Sequence, residues 1–295
     1  MGVEILIRLG IMPHIGKKQA LALTKQAVEY LEARGITPWV DPKAAQLIHR
    51  ADLPWKPGQL AELDVLLVLG GDGTLLRAAR DAAEYELPIL GVNVGHLGFL
   101  TELETDKLEF ALAALINKEY KIEERMFITC RIIRGGQTVA SYRALNDAVI
   151  ARGTFARIIQ VRTLVDNQPV VDYQADGIIV ATPTGSTAYS LSAGGPIVEP
   201  QLDCLIITPI CPHTLAARSV IVHHDAVVKV IVEASHKDIM LTIDGQAGFP
   251  LQSGDQVEVT KADVKARFVK LQERNFFTIL NSRLKTIMSR KDYDQ

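Results

Sequence analysis

The chain has 295 residues, of which 48% are hydrophobic and 22% are charged, and its formal net charge is −2. This length allows two domains with separate cores, and the composition is typical of a globular protein. The near-neutral charge disfavours nucleic-acid binding, because it provides no broad basic field. The three cysteines are odd in number and form no Cys-x-x-Cys pair, so the sequence predicts neither a disulfide framework nor a zinc site.

No apolar run approaches the ~20 residues of a membrane span. The apolar stretch at the N-terminus contains Glu4 and Arg8, which a signal peptide would not. We therefore expect no membrane contact and a cytoplasmic location.

The first third of the chain alternates strand and helix patterns. Alternating apolar residues predict a strand over Val3–Leu9. Apolar residues then recur at spacings of three and four from Gly16 to Arg34, which predicts an amphipathic helix that ends at Gly35. Thr37–Val40 fits a second strand. Residues 41–63 contain three prolines and no clear period, so we expect a long, mobile connection of the kind that often has a function.

The loop after the first strand resembles a Walker A loop but does not meet its requirements. Five residues separate Gly10 from Gly16, where a Walker A loop has four. Lys18 also stands where that loop requires Ser or Thr. The sequence therefore does not predict a P-loop.

The central motif is a glycine-rich turn that contains a carboxylate. The apolar run Val65–Leu69 predicts a strand buried on both faces, and it leads into Gly70-Gly71-Asp72-Gly73-Thr74. The glycines allow a tight turn and close approach of a ligand, and Thr74 is expected to cap the helix that follows. Strand, turn and helix start together place backbone N–H groups where an anion would bind.

Asp72 would repel a phosphate bound at this turn, so its presence needs a chemical reason. It can be a general base that takes the proton of an attacking hydroxyl group, a role worth about 10²–10⁴-fold in rate. It can equally be a turn residue that only bonds its own backbone, as Asp does in many glycine-rich turns. The spacing of the motif alone leaves both interpretations open.

A second glycine-rich turn follows the next predicted strand. Pro88–Val94 has the strand pattern and leads into Gly95–Leu100, which again places backbone at the carboxyl edge of a sheet, where open α/β sheets bind ligands. Asp106–Asn117 is predicted to be a helix.

The pattern changes near residue 122 to short β-rich runs separated by turn residues, which predicts an antiparallel, sandwich-like domain. The runs include Phe127–Arg134, Ile158–Val165, Val227–Glu233, Ile239–Ile243 and Gln256–Thr260. We expect an α/β domain with a parallel, Rossmann-like sheet over residues 1–122 and an all-β domain over residues 123–270. The helix-compatible tail, residues 271–295, is free to pack back on the first domain.

Two further segments carry polar groups suited to a nucleotide. Asp176–Pro196 opens from the apolar strand Ile178–Ala181 into hydroxyls and glycines, which suit a ribose or an amide, although a capped turn would have the same composition. Asn146-Asp147 offers donors and acceptors for an adenine edge or ribose hydroxyls, although such a dipeptide is more often structural. On a strand, the rings of His223 and His224 would point to opposite faces, so we expect them not to share a metal.

Taken in order, these motifs resemble the bacterial NAD kinases. The first motif alone is shared with phosphofructokinases and with lipid kinases of the diacylglycerol and sphingosine type, whereas the hydroxyl-rich segment is more specific. The resemblance rests on Gly70–Thr74, Gly95–Leu100, Asn146-Asp147, Asp176-Gly177 with Thr182–Tyr189, and Asp244-Gly245-Gln246.

The resemblance implies an α/β domain, an all-β domain and an active site between them. It implies that ATP, or in some members polyphosphate, phosphorylates the 2′-hydroxyl of the adenosine ribose of NAD, with Asp72 as general base. Asp147 stands where the family usually has Glu. The positions implied to bind substrate are Gly73, Arg77, Asn146, Asp147, Arg157, Gln174, Asp176, Thr187, Ala188, Tyr189, Ser190, Leu191, Ser192 and Gln246.

The family's NAD sites involve a neighbouring subunit, so a homodimer or homotetramer is implied. A divalent cation, Mg²⁺, is expected to arrive with ATP, because no P-loop lysine neutralises the triphosphate and no metal cage is visible in the sequence. Two alternatives remain open: a lipid or sugar kinase that uses the same first motif, and a non-catalytic regulator that binds NAD or NADP.

Overall fold

The computed structural model describes residues 7–56, 58–95, 98–153, 157–271 and 275–291. The chain divides into two compact units. The first unit comprises Met1–Glu123 with Arg267–Gln295, and the second comprises Glu124–Ala266.

The first unit alternates strands with helices, as the sequence predicts for an α/β domain. Its elements are β1 (Leu9–Pro13), α1 (Lys18–Glu32), β2 (Trp39–Val40), α2 (Pro42–Leu47), β3 (Val65–Gly70), α3 (Asp72–Ala82), β4 (Ile89–Asn93), β5 (Leu103–Glu104) and α4 (Leu108–Asn117).

The sheet of this unit has the order β2-β1-β3-β4, and every pairing in it is parallel. All six residues of β3 are buried, because a central parallel strand is covered on both faces. The carboxyl ends of β1, β3 and β4 consequently lie along one edge of the sheet. This edge carries the two glycine-rich turns.

The described residues of the second unit form mainly antiparallel strands, together with one short α-helix and a 3₁₀ turn. Its elements are β6 (Lys121–Arg134), β7 (Gln137–Ala144), β8 (Asp147–Arg152), β9 (Ile159–Val165), β10 (Gln168–Ala175), β11 (Gly177–Ala181), α5 (Tyr189–Ser192), β12 (Cys204–Ile210), β13 (Val220–His223), β14 (Val228–Glu233), β15 (Ile239–Ile243), β16 (Ala247–Leu251) and β17 (Gln256–Lys270). The chain ends with α6 (Phe276–Lys291).

Two sheets enclose the core of the second unit. One has the order β13-β12-β11-β8-β15-β16, and the other contains β10-β9-β14-β17, with β6 pairing with β17 and β7. A single apolar cluster draws on both sheets, for example through Ile150, Val180, Val230 and Val257. The predicted fold class, an α/β domain followed by an all-β sandwich-like domain, is confirmed.

The strand β1 covers Leu9–Pro13 and shares only Leu9 with the predicted strand Val3–Leu9, of which residues 3–6 lie outside the described residues. The predicted strand ends at Leu9, which would place Gly10 at the start of a loop. In the structure Gly10 is a strand residue, and a Cβ there would lie 2.5 Å from Leu63 Cδ1. Close packing, rather than a turn, therefore explains this glycine.

Residues 41–63 do not form the long connection without regular structure that the sequence predicts. They contain α2, whose N-cap Asp41 accepts hydrogen bonds from Lys43 N (3.0 Å) and Ala44 N (3.1 Å), with Pro42 in the first turn. A 3₁₀ turn, Gln59–Glu62, follows. Asp-Pro before a short apolar run is a signal for the start of a helix. The helix is too short to show a hydrophobic period, so the periodicity of the sequence does not reveal it.

The two histidines His223 and His224 do not point to opposite faces, contrary to the prediction. Their ring centroids are 4.1 Å apart, because β13 ends at His223 and His224 already belongs to a turn. With Asp225 they form a group whose ligand atoms lie within 4.8 Å of one another; His223 and Asp225 are exposed, and His224 is partly buried. The alternation of side chains between the two faces of a strand does not extend to His224, because the strand ends at His223.

Candidate functional site

Asp72 stands at the start of α3, immediately after the buried strand β3. The N-cap residue is Gly71, and no side chain caps the helix. The predicted cap, Thr74, instead has its side chain against Gly70, where a Cβ would lie 2.5 Å from Thr74 Oγ1. The N-terminus of α3 is therefore open toward the edge of the sheet, next to a half-buried carboxylate.

The carboxylate of Asp72 is held by the second glycine-rich turn. Phe99 N donates to Oδ2 over 2.8 Å, and Leu100 N donates to Oδ1 over 3.2 Å. A Cβ on Gly98 would lie only 1.8 Å from Oδ1, so only glycine leaves room for this approach. His96 and Leu97, in the same turn, lie outside the described residues.

These bonds fix the orientation of the Asp72 carboxylate without using all of its capacity to accept hydrogen bonds. An ionised carboxylate has about four lone-pair sites, and the bonds from Phe99 and Leu100 use two of them. Asp72 can therefore accept a further hydrogen bond from a substrate hydroxyl while the turn holds its orientation. Arg77, one turn along α3, is exposed and lies 3.7 Å from the carboxylate of Asp81. Gly73, at the second helical position, is exposed.

In the second unit, Asp244 organises the backbone at Asn146-Asp147. Its Oδ1 accepts from Asn146 N (2.7 Å) and Asp147 N (3.2 Å), and its Oδ2 accepts from Leu145 N (3.1 Å). Asp244 has a positive φ of 50° and begins the turn between β15 and β16. Gln246 lies in the same turn, where its N–H donates to Ile243 O.

The hydroxyl-rich segment packs against the same backbone. Thr182 Oγ1 donates to Leu145 O over 2.5 Å, and Thr182 N donates to Asn146 O over 2.9 Å. A Cβ on Gly185 would lie 2.1 Å from Asn146 O, so this glycine allows the two backbone segments to approach closely. The segment thus positions Asn146 from one side, while Asp244 positions it from the other.

Asp147 is a buried acid, 4% exposed, that faces the negative charge of Asp244. Burial, and secondly that charge, raise the pKa of Asp147 to about 7. At neutral pH the Asp147 carboxyl is therefore protonated in a large fraction of the molecules. It can donate a hydrogen bond to a ligand as well as accept one.

The run Thr187–Ser192 covers the end of a 3₁₀ turn and the short helix α5. Tyr189 is 46% exposed, whereas Ser190 is fully buried with its hydroxyl 2.9 Å from that of Thr208. Thr187, Ala188 and Leu191 are partly buried, and Ser192 is exposed. The run therefore presents an exposed aromatic ring beside a hydroxyl that is already paired in the core.

The remaining predicted residues lie at the other end of the β8–β11 pair. Asp176 accepts from Arg152 Nε over 2.6 Å at the end of β8, whereas Asp147 begins that strand. Five residue steps of about 3.4 Å separate the two ends by about 17 Å. Gln174 and Arg157 belong to the Asp176 end, since β9 and β10 pair through Ile159 and Ala175. Within one chain, the predicted NAD-binding residues of this unit therefore lie in two separate groups.

Family models match both units. A model described as the ATP-NAD kinase N-terminal domain matches residues 9–120, and one described as the ATP-NAD kinase C-terminal domain matches residues 145–271. The chain belongs to the NAD kinase family. The resemblance inferred from the motifs is thus confirmed.

Other NAD kinases are similar to this chain over nearly its whole length. The NAD kinase of Heliobacterium modesticaldum is 45% identical over 277 residues, which cover 94% of this chain and 98% of that protein. That of Geotalea daltonii is 41% identical over 284 residues, with the same coverage of both chains.

Two solved structures share the fold. Yeast NADH kinase complexed with NADH aligns with a TM-score of 0.86 and 25% identity, covering 95% of this chain and 88% of that one. An NAD kinase from Archaeoglobus fulgidus in complex with ATP aligns with a TM-score of 0.73 and 26% identity, covering 95% and 99%. Among the described residues, no helix is long and apolar enough to cross a membrane.

Proposed function

We propose that this NAD kinase transfers the terminal phosphoryl group of ATP to the 2′-hydroxyl of the adenosine ribose of NAD, with Asp72 as general base. The observation that carries this assignment is the carboxylate of Asp72, fixed at the open N-terminus of α3 by the N–H groups of Phe99 and Leu100. The complexes of two structural neighbours with NADH and with ATP support the two substrates.

The reaction needs a proton acceptor and neutralisation of phosphate charge more than covalent catalysis. Asp72 would accept the 2′-hydroxyl proton as that oxygen bonds to the γ-phosphorus and the bond to the leaving ADP oxygen breaks. The open N-terminus of α3 favours negative charge beside the same carboxylate. The role of general base explains why an acid stands in this turn, although its negative charge repels the phosphates of a nucleotide.

The family generally uses a divalent cation, and we propose Mg²⁺ bound through the phosphates of ATP. Near Asp72, the described residues contain no group of three His, Cys, Asp or Glu side chains that would form a dedicated cage. Mg²⁺ commonly binds through one or two carboxylates, substrate phosphates and water, and Asp72 fits that minimal donor set. The cation would supply neutralisation of the transferring phosphoryl charge.

For NAD we propose contacts from both predicted groups of the second unit. Asn146, Asp147, Gln246 and the run Thr187–Ser192 form one group, and Arg157, Gln174 and Asp176 form the other. One subunit presents the two groups at ends of β8 that are about 17 Å apart, and we propose that the two groups contact the same NAD molecule from neighbouring subunits. This division supports the proposed homodimer or homotetramer.

The proposed α/β and all-β domains are supported by the two compact units, and the cytoplasmic location remains a prediction. The lipid- or sugar-kinase and regulator alternatives gain no support from the family models or the relatives.

The test is an enzymatic assay for NADP formed from NAD, with ATP–Mg²⁺, polyphosphate–Mg²⁺, or either donor with excess chelator. We expect NADP with ATP only when the cation is present. Binding of NAD without NADP formation from either donor would favour the regulator. Phosphorylation of a lipid or sugar in preference to NAD would favour the other kinase.

A further inference from the structure

Lys17 lies at the carboxyl edge of the first sheet, although its loop is not a Walker A loop. Its Nζ donates to Val94 O over 2.5 Å, just beyond the end of β4. A Cβ on Gly95, which has a φ of +131°, would lie 3.4 Å from the same nitrogen. Backbone bonds from His14 N to Leu69 O (2.8 Å) and from Lys17 N to His14 O (3.0 Å) hold the loop at this edge.

Asn93, the last residue of β4, supplies a buried donor at the same edge. It is 2% exposed, and its Nδ2 has no hydrogen-bond partner among the residues that the structure describes. In the sheet it pairs with Gly70, and its Oδ1 lies 3.9 Å from the place where a Cβ of Gly71 would be. A buried amide without a partner costs free energy, which a ligand at this place would recover.

The third component is the N-terminus of α3, an eleven-residue helix whose N-cap is Gly71. Its dipole and its first N–H groups favour an anion. Leaving aside the adjoining residues Gly70 and Asp72, the described atom nearest to the position of a Gly71 Cβ is the amide oxygen of Asn93, at 3.9 Å, so there is space beside the helix start.

We propose that Lys17, Asn93 and the N-terminus of α3 bind the distal phosphates of a nucleoside triphosphate, the phosphoryl donor. A lysine ammonium is a common phosphate ligand, and an amide N–H adds a directed hydrogen bond. The inference rests on the proposed function, because it assigns these groups to the donor of that reaction.

Two considerations favour the donor over the diphosphate of NAD. The phosphorus that is transferred must lie next to the hydroxyl that Asp72 deprotonates, and Gly71 directly precedes Asp72. The alternative cation on α3, Arg77, lies one turn further along and faces the carboxylate of Asp81. Lys17 therefore supplies charge near the helix start that Arg77 does not.

The experiment measures binding of Mg-ATP, Mg-ADP, AMP and NAD to the full-length protein by calorimetry. The variants are Lys17→Met and Asn93→Leu, with Lys18→Met as a matched control, since Lys18 is an exposed neighbouring lysine at the start of α1. We expect Lys17→Met to weaken ATP binding about 10–100-fold, which corresponds to one charge-assisted hydrogen bond. Binding of ADP should weaken less, and binding of AMP and NAD should stay within about twofold of wild type.

Asn93→Leu should likewise weaken binding of ATP most, binding of ADP less, and binding of AMP and NAD little. Lys17→Arg should retain part of the ATP affinity that Lys17→Met loses. Unchanged ATP binding in Lys17→Met would overturn the proposal. Equal weakening of ATP, AMP and NAD would also overturn it, because Lys17 would then only hold the turn at Val94 and Gly95. Weakening of NAD alone would assign the site to the NAD diphosphate instead.

Failure of the proposed function is a separate result. It would appear as absence of NADP formation by the wild-type protein, whatever the ATP affinities of the variants. A wild type that forms NADP, with a Lys17→Met variant that binds ATP normally, would overturn only the phosphate site.

Discussion

Replacing Asp72 with Asn tests the proposed base while changing the turn as little as possible. The carboxylate accepts one N–H at each oxygen, from Phe99 over 2.8 Å and from Leu100 over 3.2 Å. An amide retains one acceptor and presents N–H₂ to the other donor. The loss of that bond costs about 1–3 kcal/mol. Because a folded domain is stable by about 5–15 kcal/mol, the Asp72→Asn variant should remain folded.

The effect on catalysis should exceed this structural cost. Asn cannot accept the hydroxyl proton, and loss of a general base lowers turnover about 10²–10⁴-fold. This corresponds to about 3–5 kcal/mol in the barrier. Binding of NAD and ATP should change only a few-fold, because the backbone donors and the helix start remain.

The assay compares steady-state and single-turnover NADP formation with NAD affinity and melting temperature. Asp64→Asn is the matched control, since Asp64 also accepts a backbone N–H, from Arg8 over 2.8 Å, but precedes the opposite end of β3. The control should keep wild-type turnover. If single-turnover rates of Asp72→Asn stayed within tenfold of wild type, Asp72 would not be the base.

Three further outcomes are expected. Gly98→Ala should lower turnover at least 10²-fold, since a Cβ there would lie 1.8 Å from the Asp72 carboxylate. Gly248→Ala should not lower turnover, because a Cβ there would lie 3.1 Å from the flexible end of Met240 and at an ordinary 3.8 Å from Leu241 O. Because the folded-state pKa of Asp147 is raised to about 7 from 3.8, its stabilising effect is complete below pH 4 and is lost as pH rises through 7. Urea titrations measure the free energy of unfolding of Asp147→Asn minus that of wild type. This difference should be about 2–3 kcal/mol larger at pH 8 than at pH 5, and a difference that does not change with pH would contradict the reasoning. Asp244→Ala should weaken NAD binding more than tenfold, with partial recovery in Asp244→Asn, because it leaves three backbone N–H groups without their acceptor; calorimetry showing wild-type affinity for Asp244→Ala would remove Asp244 from this role.

The parts of the fold that follow from sequence are those with a strong local pattern. The buried run that ends at Gly70, the glycine turn and α3 follow from composition and spacing within a few residues. The position of Gly10 within a strand does not follow from local sequence, because a glycine is needed there for close packing against Leu63, more than fifty residues away. The helix after Asp41 was missed because six residues are too few to show a period.

The same limit applies to the site. The sequence identifies Asp72, because an acid in a phosphate-type turn is chemically unusual. It does not show that Asp244 would hold the backbone of Asn146, since the two are 98 residues apart. It also does not show Lys17 beside Val94, because that contact depends on the order of the strands in the sheet rather than on a local motif.

The most direct test of the central claim is a crystal structure of this enzyme with NAD and a non-hydrolysable ATP analogue bound together. We expect the 2′-hydroxyl oxygen of the adenosine ribose to lie about 2.6–3.2 Å from a carboxylate oxygen of Asp72, within reach of the terminal phosphorus. A ribose bound beyond hydrogen-bond distance, with Asp72 still engaged only by Phe99 and Leu100, would contradict the account.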